Sequence, residues 1–245
     1  MKKILIFSKY FKPAFKAGGP IKSIDNILKI YGDRYDITLI TSDSDIDNIV
    51  FKNITLDKTI NRKNYKIKYL SRRNTNYYNL FKIISSIGPD TLYLNSFFDY
   101  NFSFKIAVLN RFYFKKKIII SPRGELYKRA LDIKKFKKKF FLFLTNVFKI
   151  YKDVIFQVNS IKEKKELSKV NFFNYQYSRI IPVLYPKIKE VKIDELSLNR
   201  KNFKILYVSR IVKNKNLDFC LTVLKKLNVK VNFTIIGPIE DKKYW

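Results

Sequence analysis

The feature that most restricts this chain is an alternation of two patterns. Short apolar runs are followed repeatedly by stretches whose apolar residues recur every three or four positions. Ile4-Leu5-Ile6-Phe7 leads into Ile21, Ile24, Ile27 and Leu28 at helical spacing. The runs 36–41 and 65–70 read as strands, the second with period two, and 80–87 reads as a short helix stopped by Gly88-Pro89. Residues 90–95 form the next strand, after which Phe104, Ala107, Val108 and Phe112 return to helical spacing. Strands follow at 117–121, 154–158 and 179–183, and Ser160-x-x-Glu163 matches a capping box opening a helix over 162–170. Strands alternating with helices in this way predict an α/β fold, a parallel sheet covered on both faces. At Phe203 the pattern begins again, with a strand at 204–209, helical spacing through Phe219, Cys220, Val223, Leu224 and Leu227, and a strand at 231–236. The reading is therefore a first domain over 1–184, a polar linker over 185–202, and a second α/β unit over 203–245. Two strands and one helix cannot close a doubly wound domain, so open apolar faces are expected there.

In open parallel sheets, ligands sit outside the carboxyl ends of the strands. Three loops of the first domain fall on that edge: Gly18-Gly19, Asn95-Ser96, and Ser121 through Arg123 and Gly124 to Glu125. Gly18 and Gly19 let the backbone pass close to a ligand, and Pro20 suits the first turn of a helix whose N–H groups would favour phosphate. The alternative is a plain structural turn. The spacing is not G-x-G-x-x-G, and no acid follows where a ribose would need one. In the second unit, Arg210 and Lys215 occupy the first strand-to-helix loop, and a cation pair there would neutralise a diphosphate.

The net charge of +31 points to nucleic acid or an anionic membrane. Only ten of the 51 basic residues are arginine, however, and Lys, Asn, Ile, Phe and Tyr are all abundant. An AT-rich genome would produce that bias, so part of the charge reads as codon drift. No RNP-type motif, zinc finger or helix-turn-helix is present, so no specific nucleic-acid partner is expected. One cysteine, Cys220, and no histidine exclude a disulfide framework, a Cys/His zinc site and imidazole chemistry. Asp43, Asp45 and Asp47 alternate but lack the glycine and glutamate of a calcium loop, so a solvated loop is expected and no metal site. No signal peptide or membrane-spanning run is visible, so a cytoplasmic location is the expectation. Residues 134–152 form the most unusual segment. Lysines crowd its start, and Phe136, Phe140, Phe143, Leu144, Val147, Phe148 and Tyr151 make one apolar stripe. Two readings stand: a helix lying on an anionic membrane surface, or a sheet-covering helix with a solvated lysine face.

Taken in order, several stretches resemble the front part of a family 4 glycosyltransferase of the two-domain GT-B fold, of the bacterial surface-polysaccharide type. They are Gly18-Gly19-Pro20-Ile21, Asn95-Ser96-Phe97-Phe98-Asp99, and Ile120-Ser121-Pro122-Arg123-Gly124-Glu125-Leu126. Ser209-Arg210 with Lys215-Asn216-Leu217-Asp218, and Gly237-Pro238-Ile239-Glu240-Asp241, complete the set. The resemblance implies two Rossmann-like domains, with the acceptor in the first and the nucleotide sugar in the second. It implies Arg210 and Lys215 on the donor diphosphate, the Gly18-Gly19 loop near that phosphate, and Asn95, Ser96, Arg123, Gly124 and Glu125 on the acceptor side. It also implies transfer with retention, no cofactor beyond the nucleotide-sugar co-substrate, no bound metal, and work at the inner face of the cell membrane on a glycan or lipid-linked acceptor. The catalytic residue is left unassigned. The family's two glutamates separated by seven residues have no counterpart after Arg210, where Glu240 is the sole glutamate. The histidine of many relatives falls where this chain has Gln157. A truncated or fragmentary transferase is therefore the expectation, with an inactive basic module binding membrane or nucleic acid as the alternative.

Overall fold

A computed structural model describes residues 1–170, 177–184 and 203–245. The expected linker, 185–202, lies outside the described residues. By backbone contacts the chain divides into two compact units, Met1–Ile188 and Lys189–Trp245, and each is described by itself.

The first unit is an eight-stranded sheet. Its strands are β1 (Lys3–Phe7), β2 (Asp36–Ser42), β3 (Thr59–Asn61), β4 (Lys66–Leu70), β5 (Thr91–Leu94), β6 (Lys117–Ile120), β7 (Ile155–Val158) and β8 (Ser178–Ile180), in the spatial order β3-β4-β2-β1-β5-β6-β7-β8. Every pairing is parallel except that of β3 with β4. The order reverses at β1, between β2 and β5, and this switch point is where the edge of such a sheet opens.

Period-two alternation sorts each strand between two cores. Leu5 and Phe7 join one cluster and Ile6 the other; Leu92 and Leu94 join the first and Tyr93 the second. Helix α1 (Gly19–Tyr31) covers the second face through Ile21, Ile24 and Leu28. The first face is covered by α2 (Tyr77–Ile87), by α3 (Lys105–Leu109) with the wider helical turns flanking it, and by Leu142 and Leu167 of two later helices. The ends of α2 show why it has the length it has. The Asn76 side chain accepts the N–H of Asn79 at 2.9 Å, a cap worth about 1 kcal/mol, and Gly88 takes the left-handed conformation with its N–H on Ile84 O at 3.0 Å.

Three further helices follow in this unit: α4 (Lys128–Asp132), α5 (Lys135–Val147) and α6 (Ile161–Ser168). The second unit pairs β9 (Phe203–Val208) in parallel with β10 (Val231–Ile236), and α7 (Leu217–Leu224) runs between them in sequence. The loops beyond both strands continue the pairing, since Ile211 N–H bonds Pro238 O at 2.9 Å and Asp241 N–H bonds Ile211 O at 3.2 Å. This close approach needs glycine: a Cβ on Gly237 would lie 1.8 Å from Ser209 O. Phe203, Leu206, Val208 and Ile236 are exposed on the strands of this unit.

Candidate functional site

At the carboxyl edge of the first sheet, the loops after β1, β5 and β6 surround a cleft of about 390 Å³. Ser8, Lys9 and Tyr10 come from the first loop, Asn95, Ser96, Phe98 and Asp99 from the second, and Arg123 and Glu125 from the third. Ala17 and Pro20, which flank Gly18 and Gly19, add the approach to α1. Four of the five residues expected on an acceptor side, Asn95, Ser96, Arg123 and Glu125, thus meet around one space. Gly124 is not in the lining; it shapes the loop instead.

Asn95 is the hinge of this arrangement. Buried at the end of β5, it donates through Nδ2 to Ser8 Oγ at 3.1 Å and to Pro20 O at 3.5 Å. Its Oδ1 accepts from Arg123 Nε at 2.9 Å. Arg123 extends the link to Tyr93 OH at 3.2 Å and to Asn159 Oδ1 at 3.4 Å, and Tyr93 OH donates to Gln157 Oε1 at 2.9 Å. The guanidinium therefore ties together the ends of β5, β6 and β7, a task its rigid fork of donors suits. The loop turns back on itself to allow this, with Arg123 at φ 51° and Gly124 at φ 80°. Burial pushes the Tyr93 phenol upward, so it stays protonated as the donor to Gln157.

The carboxylates hold backbone. Glu125 accepts from Ser96 Oγ at 2.8 Å, Phe97 N at 2.5 Å and Phe98 N at 3.1 Å. Burial raises its pKa, and these three donors offset that rise without cancelling it. Ser160 caps α6 by accepting the Glu163 N–H at 3.1 Å, as the capping box predicts. The Glu163 carboxylate does something the motif does not predict: it accepts from Asn159 N and Gly124 N, both at 2.7 Å. The second bond fixes the loop that carries Arg123. The Asp43 to Asp47 loop also differs from expectation. Asp45 is buried and accepts from Phe15 N at 2.9 Å, Lys16 N at 3.1 Å and Ile46 N at 2.8 Å, so it anchors the approach to Gly18 instead of facing solvent. No group of acids able to hold a metal ion occurs among the described residues.

Gly18 is the N-cap of α1 at φ 62°, with no side chain capping the helix. A Cβ at Gly18 or Gly19 would meet nothing within 4 Å, so both glycines border open space. In the second unit, Arg210 Nη1 reaches both oxygens of Glu240, at 3.0 and 3.3 Å. Lys215 ends a single helical turn, and its carbonyl accepts from Tyr207 OH at 3.0 Å. Sequence reasoning missed Lys9, Tyr10, Tyr93 and Asn159. Lys9 and Tyr10 directly follow the first strand and so carried a positional signal; Tyr93 and Asn159 carried none.

In chemical terms the cleft offers hydroxyl, amide, carboxylate and ammonium groups beside the rings of Tyr10 and Phe98. Lys9 and Asp99, 3.7 Å apart, form a loose pair within it. Such a lining suits a polyhydroxylated ligand.

An eight-stranded, mostly parallel sheet followed by a second parallel α/β unit is the Rossmann-like arrangement of GT-B proteins. Among solved structures, the chain is similar to "lipopolysaccharide outer core galactosyltransferase WaaB apo form", with 15% identity and a TM-score of 0.54, over 99% of this chain and 62% of that one. It is also similar to MurG of Acinetobacter baumannii, with 11% identity and a TM-score of 0.50, over 100% of this chain and 69% of that one. At these identities the likeness is one of fold. No protein-family model and no curated relative matches the chain.

Proposed function

We propose that the chain works as a glycosyltransferase, or as part of one, moving a sugar from a nucleotide-sugar donor to a glycan or lipid-linked acceptor in surface-polysaccharide assembly. The observation that carries this reading is the convergence of Asn95, Ser96, Arg123 and Glu125 on one strand-end cleft of about 390 Å³. The GT-B-like fold supports it, as does the galactosyltransferase named for one structural neighbour. In this reading the cleft takes the acceptor, and Lys9 and Asp99 contact it directly while Arg123 and Glu125 hold the walls. Arg210 and Lys215 bind the donor diphosphate, and the uncapped N-terminus of α1 at Gly18 and Gly19 is open to a phosphate oxygen. Two cations stabilise a departing diphosphate without a metal ion, which fits a retaining, family 4 type of transfer. The setting is the cytoplasmic face of the cell membrane; among the described residues no helix is long and apolar enough to cross it.

Titration of the chain with uridine diphosphate and other nucleoside diphosphates tests the donor half, with Arg210→Ala and Lys215→Ala as variants. Each variant is expected to weaken binding about tenfold or more, the worth of one charge-assisted contact. Transfer of labelled sugar from nucleotide donors to a membrane extract tests the rest. The reading falls if no nucleoside diphosphate binds and no sugar is transferred or released.

A further inference from the structure

Helix α5 buries only Leu142 and Thr145. Of the apolar stripe, Tyr151 is buried in the core, but the row on α5 faces outward: Phe136 is 87% exposed, Phe140 63%, Phe143 53% and Val147 54%. Spacings of four, three and four residues put these side chains in one row. The adjoining side of the same helix lines a pocket of about 430 Å³. Its floor is apolar, formed by Leu126, Leu142 and Val170, while Lys128, Lys135 and Lys139 stand around it. The two carboxylates in the lining are Asp132 and Glu166, and Glu166 is already engaged, by Lys169 Nζ at 2.6 Å and Lys128 N at 3.2 Å. With about 3.6 residues per turn, Lys139 falls between the packed Leu142 and the phenyl row.

Ammonium groups set between an apolar hollow and a row of protruding phenyl rings match the layers of a lipid surface, with phosphates outside and acyl chains beneath. A nucleic acid or an acidic protein would satisfy the lysines and leave the rings in water. We propose that α5 lies in the surface of an anionic bilayer with Phe136, Phe140 and Phe143 below the phosphate level. The pocket beside it seats the head of one anionic lipid, its phosphate on Lys135 and Lys139 and its first apolar carbons against Leu126 and Val170. The proposal deepens the membrane-face setting given above and is independent of the transfer reaction. Vesicle binding and diphosphate binding are separate readouts, so either can fail while the other survives.

The test is sedimentation of the full chain with vesicles of phosphatidylcholine alone or mixed with phosphatidylglycerol. Three variants accompany it: Phe136→Ser/Phe140→Ser/Phe143→Ser, Lys135→Glu/Lys139→Glu, and, as a charge-matched control on exposed lysines of α7's end, Lys225→Glu/Lys226→Glu. Unchanged melting temperatures are required of each, and the exposed positions permit them. The expected result is at least tenfold tighter binding to the anionic vesicles, a loss of tenfold or more in the phenylalanine and the Lys135/Lys139 variants, and a change under about twofold in the control. Equal binding to both vesicle types, or undiminished binding by the phenylalanine variant, overturns the bilayer contact. Equal losses in the two charge variants overturn the lipid pocket, because net charge alone would then account for the attraction.

Discussion

The carboxylate of Glu163, in the first turn of α6, accepts the backbone N–H of Gly124 at 2.7 Å and thereby holds the loop on which Arg123 stands. The same carboxylate takes Asn159 N at 2.7 Å, so one buried side chain closes two strand-end loops. Glu163→Ala would leave both amides without their acceptor. It is expected to lower stability by about 3 kcal/mol, with Glu163→Gln, which keeps one acceptor oxygen, near half of that. Urea denaturation of the two variants checks the order; equal and small losses would show the loop to be held by other means.

Arg123→Lys keeps the charge but offers a single rotatable ammonium where the fork now bridges Asn95, Tyr93 and Asn159. The expected cost is about 1–2 kcal/mol. Arg123→Ala is expected to cost somewhat more and to abolish acceptor binding in the cleft. The comparison is made by urea unfolding together with binding of oligosaccharide acceptors.

Two carboxylates give stability a pH dependence of opposite sign. Burial, only partly offset by its donors, raises Glu125, so the folded protein holds that proton more tightly than the unfolded chain. Its contribution is fully present below about pH 4.3, the unfolded value, and declines as pH rises through the folded one. For Asp45, burial pushes upward, but the N–H groups of Lys16, Phe15 and Ile46 together outweigh it and lower the pKa. Its contribution is present above about pH 3.9 and is lost as pH falls through the folded value. In urea unfolding between pH 3 and 7, the stability of the parent relative to Glu125→Gln should fall as pH rises. The difference between parent and Asp45→Asn should shrink on acidification.

Glu240 competes for the cation that the proposed function assigns to a diphosphate. As an exposed pair, Arg210 and Glu240 contribute less than about 1 kcal/mol to stability. Glu240→Gln is expected to leave the melting temperature unchanged and to tighten nucleoside diphosphate binding several-fold, read by calorimetric titration. Weaker binding would mean that Glu240 orients Arg210 instead of competing for it.

Gly237→Ala places a Cβ against the carbonyl of Ser209, which can move only by parting the loops after β9 and β10. A local loss of about 3 kcal/mol or more is expected. Hydrogen exchange at the Ser209 and Ile211 amides, which bond Ile236 O and Pro238 O, should quicken by two orders of magnitude or more.

The alternation of residue types made most of this architecture readable, because each buried strand must feed two cores and each covering helix only one. β3 escaped, since three residues paired antiparallel to an edge have no apolar pattern of their own. For α5, periodicity located the apolar row but could not say which way it faced; the same spacing serves a row turned inward and one turned out. Within the cleft, the loops were readable from their place after strands. Their bracing was not. Tyr93 and Gln157 are 64 positions apart, and only the sheet order brings them together. The position where the resemblance places a histidine holds Gln157, buried and accepting from a phenol, so the chain fills it with a neutral acceptor.

The bond from Asn95 to Ser8 spans 87 residues, and the brace through Arg123 ends on Asn159. During synthesis, the first glycine loop therefore leaves the ribosome long before the side chains that position it exist. Contacts of this sequence separation are slow to form, and the brace is complete only when β5, β6 and β7 have all docked. The cleft consequently forms late on the folding path, and a nascent chain halted before β7 displays its loops without the site they build.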